Sequence, residues 1–186
     1  MKRVIICMPD RKQGAIDEMD KLYKNEYEVF DAIINEKGYK GISDSFKQVI
    51  KNNYEEPYIH ILEDDVLFTS AYSRDVFEKN MPVDSDIYLA GSYSYSLIKN
   101  NGTSKRIKDF ASLHSVVISK KAYDFFLSHD TEVVGNIDRW VSSFACLNCS
   151  VCVPFVAIQK TGYSYNQGRK VDYSHMIKDE ILTDKN

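Results

Sequence analysis

No apolar run in this sequence approaches the roughly 20 residues of a membrane-spanning helix. The opening MKRVIICMPDRK is too short in its apolar part for a secretory leader, so a cytoplasmic protein with no membrane span is expected. Strong charge of one sign is also missing. Lys and Arg number 24 against 27 Asp and Glu, a net charge of −3, which does not imply electrostatic capture of nucleic acid or an anionic membrane. The chain has no internal repeat and no linker. A glycine-rich phosphate loop is absent: PDRKQGAIDE, after the first apolar run, has one Gly and no GxG, which ranks nucleotidyl transfer below other chemistries. Cysteine is scarce, at four residues, Cys7, Cys146, Cys149 and Cys152, and these are expected to be reduced. CLNCSVC has CxxCxxC spacing, but no fourth Cys or His lies nearby. The triplet reads as small buried side chains.

What is present is a hydrophobic content of 44% over 186 residues, enough for one domain with a sizeable core. VIIC (4–7) reads as a buried strand and 13–24 as a helix. Strands are predicted at 27–34, 58–62, 86–90 and 114–118. Ile42, Phe46, Val49 and Ile50 mark one helix face, with Ser45-x-x-Gln48 as a possible capping box unless the helix begins nearer Ser43. A short helix is expected over 73–80. Ser119 is placed as the cap of a helix carrying Ala122, Phe125 and Phe126. Asn136 is placed as the cap of one carrying Ile137, Trp140, Val141 and Phe144. Residues 151–158 read as a last strand, at an edge or a bulge because of Pro154. Strands alternating with helices imply an α/β fold, a mostly parallel sheet flanked by helices, in a single domain. Residues 1–160 form that domain, and 161–186 read as a polar loop or tail.

YIHILEDDVLFT (58–69) sets three consecutive acids between apolar runs. In open α/β sheets ligands bind at the carboxyl ends of strands. Period two puts Glu63 and Asp65 on one side of the strand end and Asp64 on the other. Two carboxylates about 4 Å apart repel by on the order of 4 kcal/mol at an effective dielectric near 20. A divalent cation reverses that penalty, and hard oxygen ligands favour magnesium or manganese. The alternative is an acidic turn capping the next element.

Five segments, in order, resemble glycosyltransferase family 25, the lipopolysaccharide and collagen sugar transferases of the GT-A (Rossmann-like) fold. They are GYKGISDSFKQVIKNNYEEPYIHILEDDVLF, DSDIYLAGS, LHSVVISKKAYDFFL, NIDRW and VPFVAIQ. The resemblance covers most of residues 1–165. It implies a UDP-sugar donor, a manganese or magnesium ion, and inverting transfer of a hexose to a hydroxyl acceptor. It places Asp65 on a metal that bridges the diphosphate and Glu63 on the ribose or on the metal through water. Asp64 would help to place the donor sugar. Pro9, Asp10 and Arg11 would border the nucleotide, with Gln159 at the end of the late strand in the same donor-binding set. Asp138, in the first turn of its helix, is the general base the resemblance suggests, although the helix dipole favours its ionised form. At 186 residues the chain is shorter than most members, which leaves the acceptor open: a saccharide, a protein hydroxyl, or a hydroxylated base in phage DNA. A nucleotidyltransferase and a non-catalytic nucleotide-binding module are the rivals.

Other candidates are weaker. His114 is a third metal ligand, part of an acceptor pocket, or a structural residue. His60 reads as structural, and His129 and His175 as surface residues. Gly91–Ser96 reads as a loop whose Tyr93 and Tyr95 stack on sugar or base. Lys105-Arg106-x-Lys108 and Arg169-Lys170 meet a diphosphate or an anionic acceptor, or are simply solvated.

Overall fold

A computed structural model describes residues 1–173 and 180–184. Its first half alternates strand and helix: β1 (Lys2–Cys7), α1 (Lys12–Tyr23), β2 (Glu28–Asp31), α2 (Gly38–Asn52), β3 (Tyr58–Glu63), β4 (Val66–Phe68), α3 (Ser73–Asn80) and β5 (Ile87–Leu89). A hairpin follows, β6 (Ser94–Asn100) and β7 (Ser104–Ala111), then β8 (Ser115–Ser119). Three short helices come next, α4 (Tyr123–Leu127), α5 (Thr131–Val134) and α6 (Ile137–Ser142). The chain ends in β9 (Cys149–Cys152), β10 (Ala157–Gln159), β11 (Gly162–Ser164) and β12 (Arg169–Val171).

The α/β architecture is as expected, and the main sheet has eight strands in the order β2-β1-β3-β8-β5-β9-β7-β6. It is mixed rather than mostly parallel. β1 pairs in parallel with β2 and β3, and β5 with β9, whereas β8 runs antiparallel to β3 and β5, and β7 antiparallel to β9 and β6. The unbroken apolar runs are explained by burial on both faces. Val4, Ile6, Ile59, Ile61, Leu89 and Val116 pack toward Phe46, Val49 and Ile50 of α2. The alternate residues Ile5, Cys7, Leu62, Tyr88 and Val117 pack toward Ala15, Met19 and Tyr23 of α1 and Phe77 of α3. Cys149 belongs to the first layer and Cys152 to the second, so the sheet separates these thiols. Cys146 is exposed, contrary to the reading of three buried cysteines.

Several local expectations are corrected. Gly91–Ser96 is not all loop: β6 begins at Ser94, because β7 supplies its hydrogen-bonding partner. The 151–158 segment breaks at Pro154 into β9 in the main sheet and β10, which pairs with β4. The predicted caps are not made. Ser119 and Asn136 give no side-chain cap bond, and α2 begins at Gly38, so Ser45 lies inside it. There Ser45 Oγ donates to the Gly41 carbonyl and accepts from Ile33 N–H. His129 is not a surface residue. It is 2% exposed, bonded to Ser43 Oγ at 2.8 Å and packed near Trp140. His175 lies outside the described residues. The stretch read as a tail contains the β11–β12 hairpin and the buried side chains Tyr173 and Leu182. Among the described residues no helix is long and apolar enough to cross a membrane.

Candidate active site

A cavity of about 340 Å³ opens at the carboxyl ends of β1, β2 and β3. Its floor is the β3–β4 turn, with Glu63, Asp64 and Asp65, and Gln159 at the end of β10. One wall is the loop after β2 and the start of α2; the other is Ser112, Leu113 and Asn136 to Asp138. The turn of the β11–β12 hairpin forms a roof with Tyr163 and Tyr165. Two glycines let the backbones close in. A Cβ on Gly38 would lie 2.0 Å from the Tyr165 carbonyl oxygen, and one on Gly91 2.3 Å from that of Ala157.

The three acids have distinct environments. Asp64 turns toward β1, accepting from Met8 N–H at 2.7 Å and from Arg11 Nη1 at 3.2 Å. Burial raises its carboxyl above the ordinary range, and those two donors oppose the shift. Asp65 Oδ2 accepts from Gln159 Nε2 at 3.0 Å. Asp65 Oδ1 and Gln159 Oε1 are both buried without a hydrogen-bond partner. Burial pushes Asp65 up to about 6, while the Gln159 amide pulls the other way. Glu63 is raised well above the ordinary carboxylate range by burial and then by the charges of Asp65, Asp64 and Asp138. The β3 end thus gathers three half-buried carboxyl groups whose ionised forms are disfavoured by burial.

Asp138 lines the same cavity. Its Oδ2 accepts from Ser112 N–H at 3.0 Å and its Oδ1 from Arg139 N–H at 2.7 Å, which fixes the carboxylate and leaves each oxygen a further lone pair. Arg11 is tied to the protein through both terminal nitrogens. Besides Asp64 it donates to the Tyr163 carbonyl and lies 4.7 Å from the Tyr165 ring centre. Pro9 and Asp10 do not line the cavity; Met8 takes that place, while Asp10 accepts from the Tyr165 hydroxyl at 2.7 Å and anchors the roof.

His114 is corrected as a metal ligand. Its Nε2 bonds the Ala157 carbonyl at 3.3 Å and its Nδ1 bonds Ser112 Oγ, so no ring lone pair is free. Burial pushes its pKa down to about 4. Among the described residues no group of three His, Cys, Asp or Glu side chains converges as a metal site. Nor is Lys105 a free cation for diphosphate, since it pairs with Glu180. Sequence reading missed Ser112, Asn136 and the roof tyrosines. Asn136 stands in NIDRW but was read only as a helix cap; Ser112 and the roof tyrosines carry no motif, and hairpin closure and a loop approach bring them in.

No family model and no curated sequence matches this chain. Solved structures do resemble it. A197 from STIV aligns with TM-score 0.56 and 12% identity over 100% of this chain and 99% of that one. A glycosyltransferase involved in the glycosylation of the major capsid of PBCV-1 aligns with TM-score 0.53 and 10% identity, covering 90% of this chain and 96% of that one. A weaker likeness, TM-score 0.46 at 18% identity, is to the inositol-1-phosphate CTP transferase from T. maritima, over 82% of this chain and 66% of that one. The chain is therefore a single α/β unit, its mixed sheet flanked by helices, that shares its fold with the first two of these structures.

Proposed function

We propose that this chain is a glycosyltransferase of the family 25 type, moving a hexose from a UDP-sugar to a hydroxyl acceptor with inversion and with a divalent cation. The observation that carries the reading is a pair of buried oxygens on two side chains bonded to each other, Asp65 Oδ1 and Gln159 Oε1, that have no hydrogen-bond partner among the described residues. Buried acceptors are almost always satisfied. These two, on a floor of acids at the end of a sheet strand, suit a hard cation. Magnesium-like ions are held by one or two carboxylates together with phosphates and water, so a site with few protein ligands fits. Asp65 and Gln159 would hold the ion, which when bound offsets the charge of the leaving diphosphate.

The remaining work belongs to the protein's own side chains. Asp64 holds the loop after β1 through Met8 and Arg11, shaping the nucleotide edge of the cavity. Arg11 ties that loop to the hairpin roof, which limits water entry. Asp138 has its orientation fixed by two backbone N–H groups and is the base for the acceptor hydroxyl. Glu63, held toward its neutral form, is suited to donate a hydrogen bond to a ribose or sugar oxygen.

Thermal unfolding with UDP, with and without manganese, followed by donor turnover against saccharide acceptors, tests the reading. A UDP stabilisation that requires manganese, with hexose released from one UDP-sugar, is expected. No UDP response with or without manganese would overturn the reading. A nucleotide response with no turnover of any donor would favour a binding module.

A further inference from the structure

Ser112, on the cavity wall, has a constrained backbone. Its backbone has φ 108°, a region that L side chains rarely adopt and that costs about 1–3 kcal/mol. The other non-glycine residues with positive φ are Asn25 and Asp109, types that tolerate the left-handed region, and neither lines the cavity. A glycine would remove the strain at position 112, yet a serine stands there. Its N–H is spent on Asp138 and its hydroxyl on His114.

The direction of that hydroxyl bond follows from the partners of His114. The ring is 0% exposed and makes no contact with a carboxylate, so it is neutral. The Ala157 carbonyl can only accept, which puts the ring proton on Nε2. Nδ1 is then an acceptor and takes the Ser112 O–H. Ser112 lines the cavity, and with its proton used its Oγ keeps only lone pairs for a further partner. A phosphate oxygen, itself an acceptor, is refused at that point, whereas an O–H group is welcomed.

We propose that Ser112 is a specificity-determining residue that accepts a hydrogen bond from a hydroxyl of the donor hexose, and that His114 is the positioning residue that locks it as an acceptor. The proposal rests on the glycosyltransferase reading for the identity of the ligand, but the lock itself does not.

Two measurements test it. Imidazole nitrogen NMR of the free protein should find His114 as the Nε2–H tautomer. An Nδ1–H ring, or a doubly protonated one at neutral pH, would make Ser112 a donor and overturn the proposal whatever the chain binds. Calorimetry with manganese then compares UDP and UDP-glucose binding in the wild type and in Ser112→Gly, which relieves φ and keeps the N–H to Asp138. UDP affinity should be unchanged, while UDP-glucose binding weakens by about 2- to 12-fold, the loss of one hydrogen bond. Ser112→Ala, which keeps the strained backbone, should show the same selective loss. Equal UDP-glucose affinity in all three proteins overturns the proposal. If the wild type binds neither ligand, the glycosyltransferase reading fails and the sugar assignment goes with it, while the tautomer still decides the lock.

Discussion

Asp65→Asn should make the metal-free protein more stable while destroying cation-dependent nucleotide binding. In the wild type one carboxylate oxygen is buried without a donor and the other accepts from Gln159. Raising the carboxyl from 3.8 to about 6 corresponds to about 3 kcal/mol against the ionised form. Asp65 and Glu63 share this burden, so about 1–3 kcal/mol is the expected gain on neutralisation. For a chain of this size the gain is a rise in Tm of about 2–4 °C per kcal/mol. The sign with pH is fixed. A carboxyl whose folded pKa is raised loses stability as pH climbs from about 4 to 6 and stays penalised above. The advantage of Asn should therefore be full at pH 7.5 and vanish near pH 4. Thermal unfolding in chelator at both pH values reads the stability, and calorimetry of UDP with manganese reads the binding. A turn-capping acid predicts the opposite stability change. A lower Tm for Asp65→Asn at pH 7.5, or retained manganese-dependent UDP affinity, would refute the reasoning.

Asp138→Asn should lower turnover by about 10²–10⁴-fold with donor affinity nearly unchanged, because the lost contact belongs to the transition state; full turnover would move the base elsewhere. Arg11→Ala removes the bond to the Tyr163 carbonyl and the stack on Tyr165, so trypsin should cut at Arg169 faster than in the wild type. An unchanged cleavage rate would show that the roof is held by other contacts. His60 is pushed down to about 3 by burial, so its contribution to stability is complete above pH 6.5 and declines as pH falls. Between pH 7 and 5 that decline is about 2 kcal/mol. Denaturant unfolding of His60→Leu should show a drop smaller than the wild type's by that amount, and equal drops would mean that the ring is protonated in place.

Much of this was legible in the sequence. The run VIIC predicts β1 because a strand buried on both faces has no polar alternation to disguise it. The Phe46, Val49, Ile50 spacing marks α2, and the acids after β3 mark the floor of the cavity. What stayed hidden depends on contacts distant along the chain. β6 looked like a loop because Ser94, Ser96 and the exposed Leu97 give no alternation; only pairing with β7 makes it a strand. The antiparallel course of β8 follows from the inserted β6–β7 hairpin, and no residue in SVVIS announces it. His114 looked like a ligand because a histidine's partners cannot be read from its neighbours in sequence. The roof was missed because a polar, tyrosine-rich stretch reads as solvated until Gly38 lets its backbone approach.

A sequence specifies its fold when local preferences agree, and breaches of that agreement gather where function is held. Several of them meet at the cavity. Among the described residues seven buried side-chain atoms lack a partner; five are on Arg3, His60, Tyr88, His129 and Asn148, and none of those residues lines the cavity. The other two, on Asp65 and Gln159, belong to side chains bonded to each other on its floor. The cavity also holds the raised carboxyl of Glu63 and the strained backbone of Ser112. Each costs stability in the free protein: a lone buried acceptor about 1–3 kcal/mol, a φ outlier a similar amount. None is needed to build the sheet. Asparagine at 65, glutamine at 63 and glycine at 112 would each relieve the local cost while keeping the backbone. A site that would be more stable with different residues at three adjoining positions is better explained by a ligand than by folding. Under the proposed function that ligand is a cation-bound nucleotide sugar, with its positive charge near Asp65 and Gln159 and an O–H near Ser112.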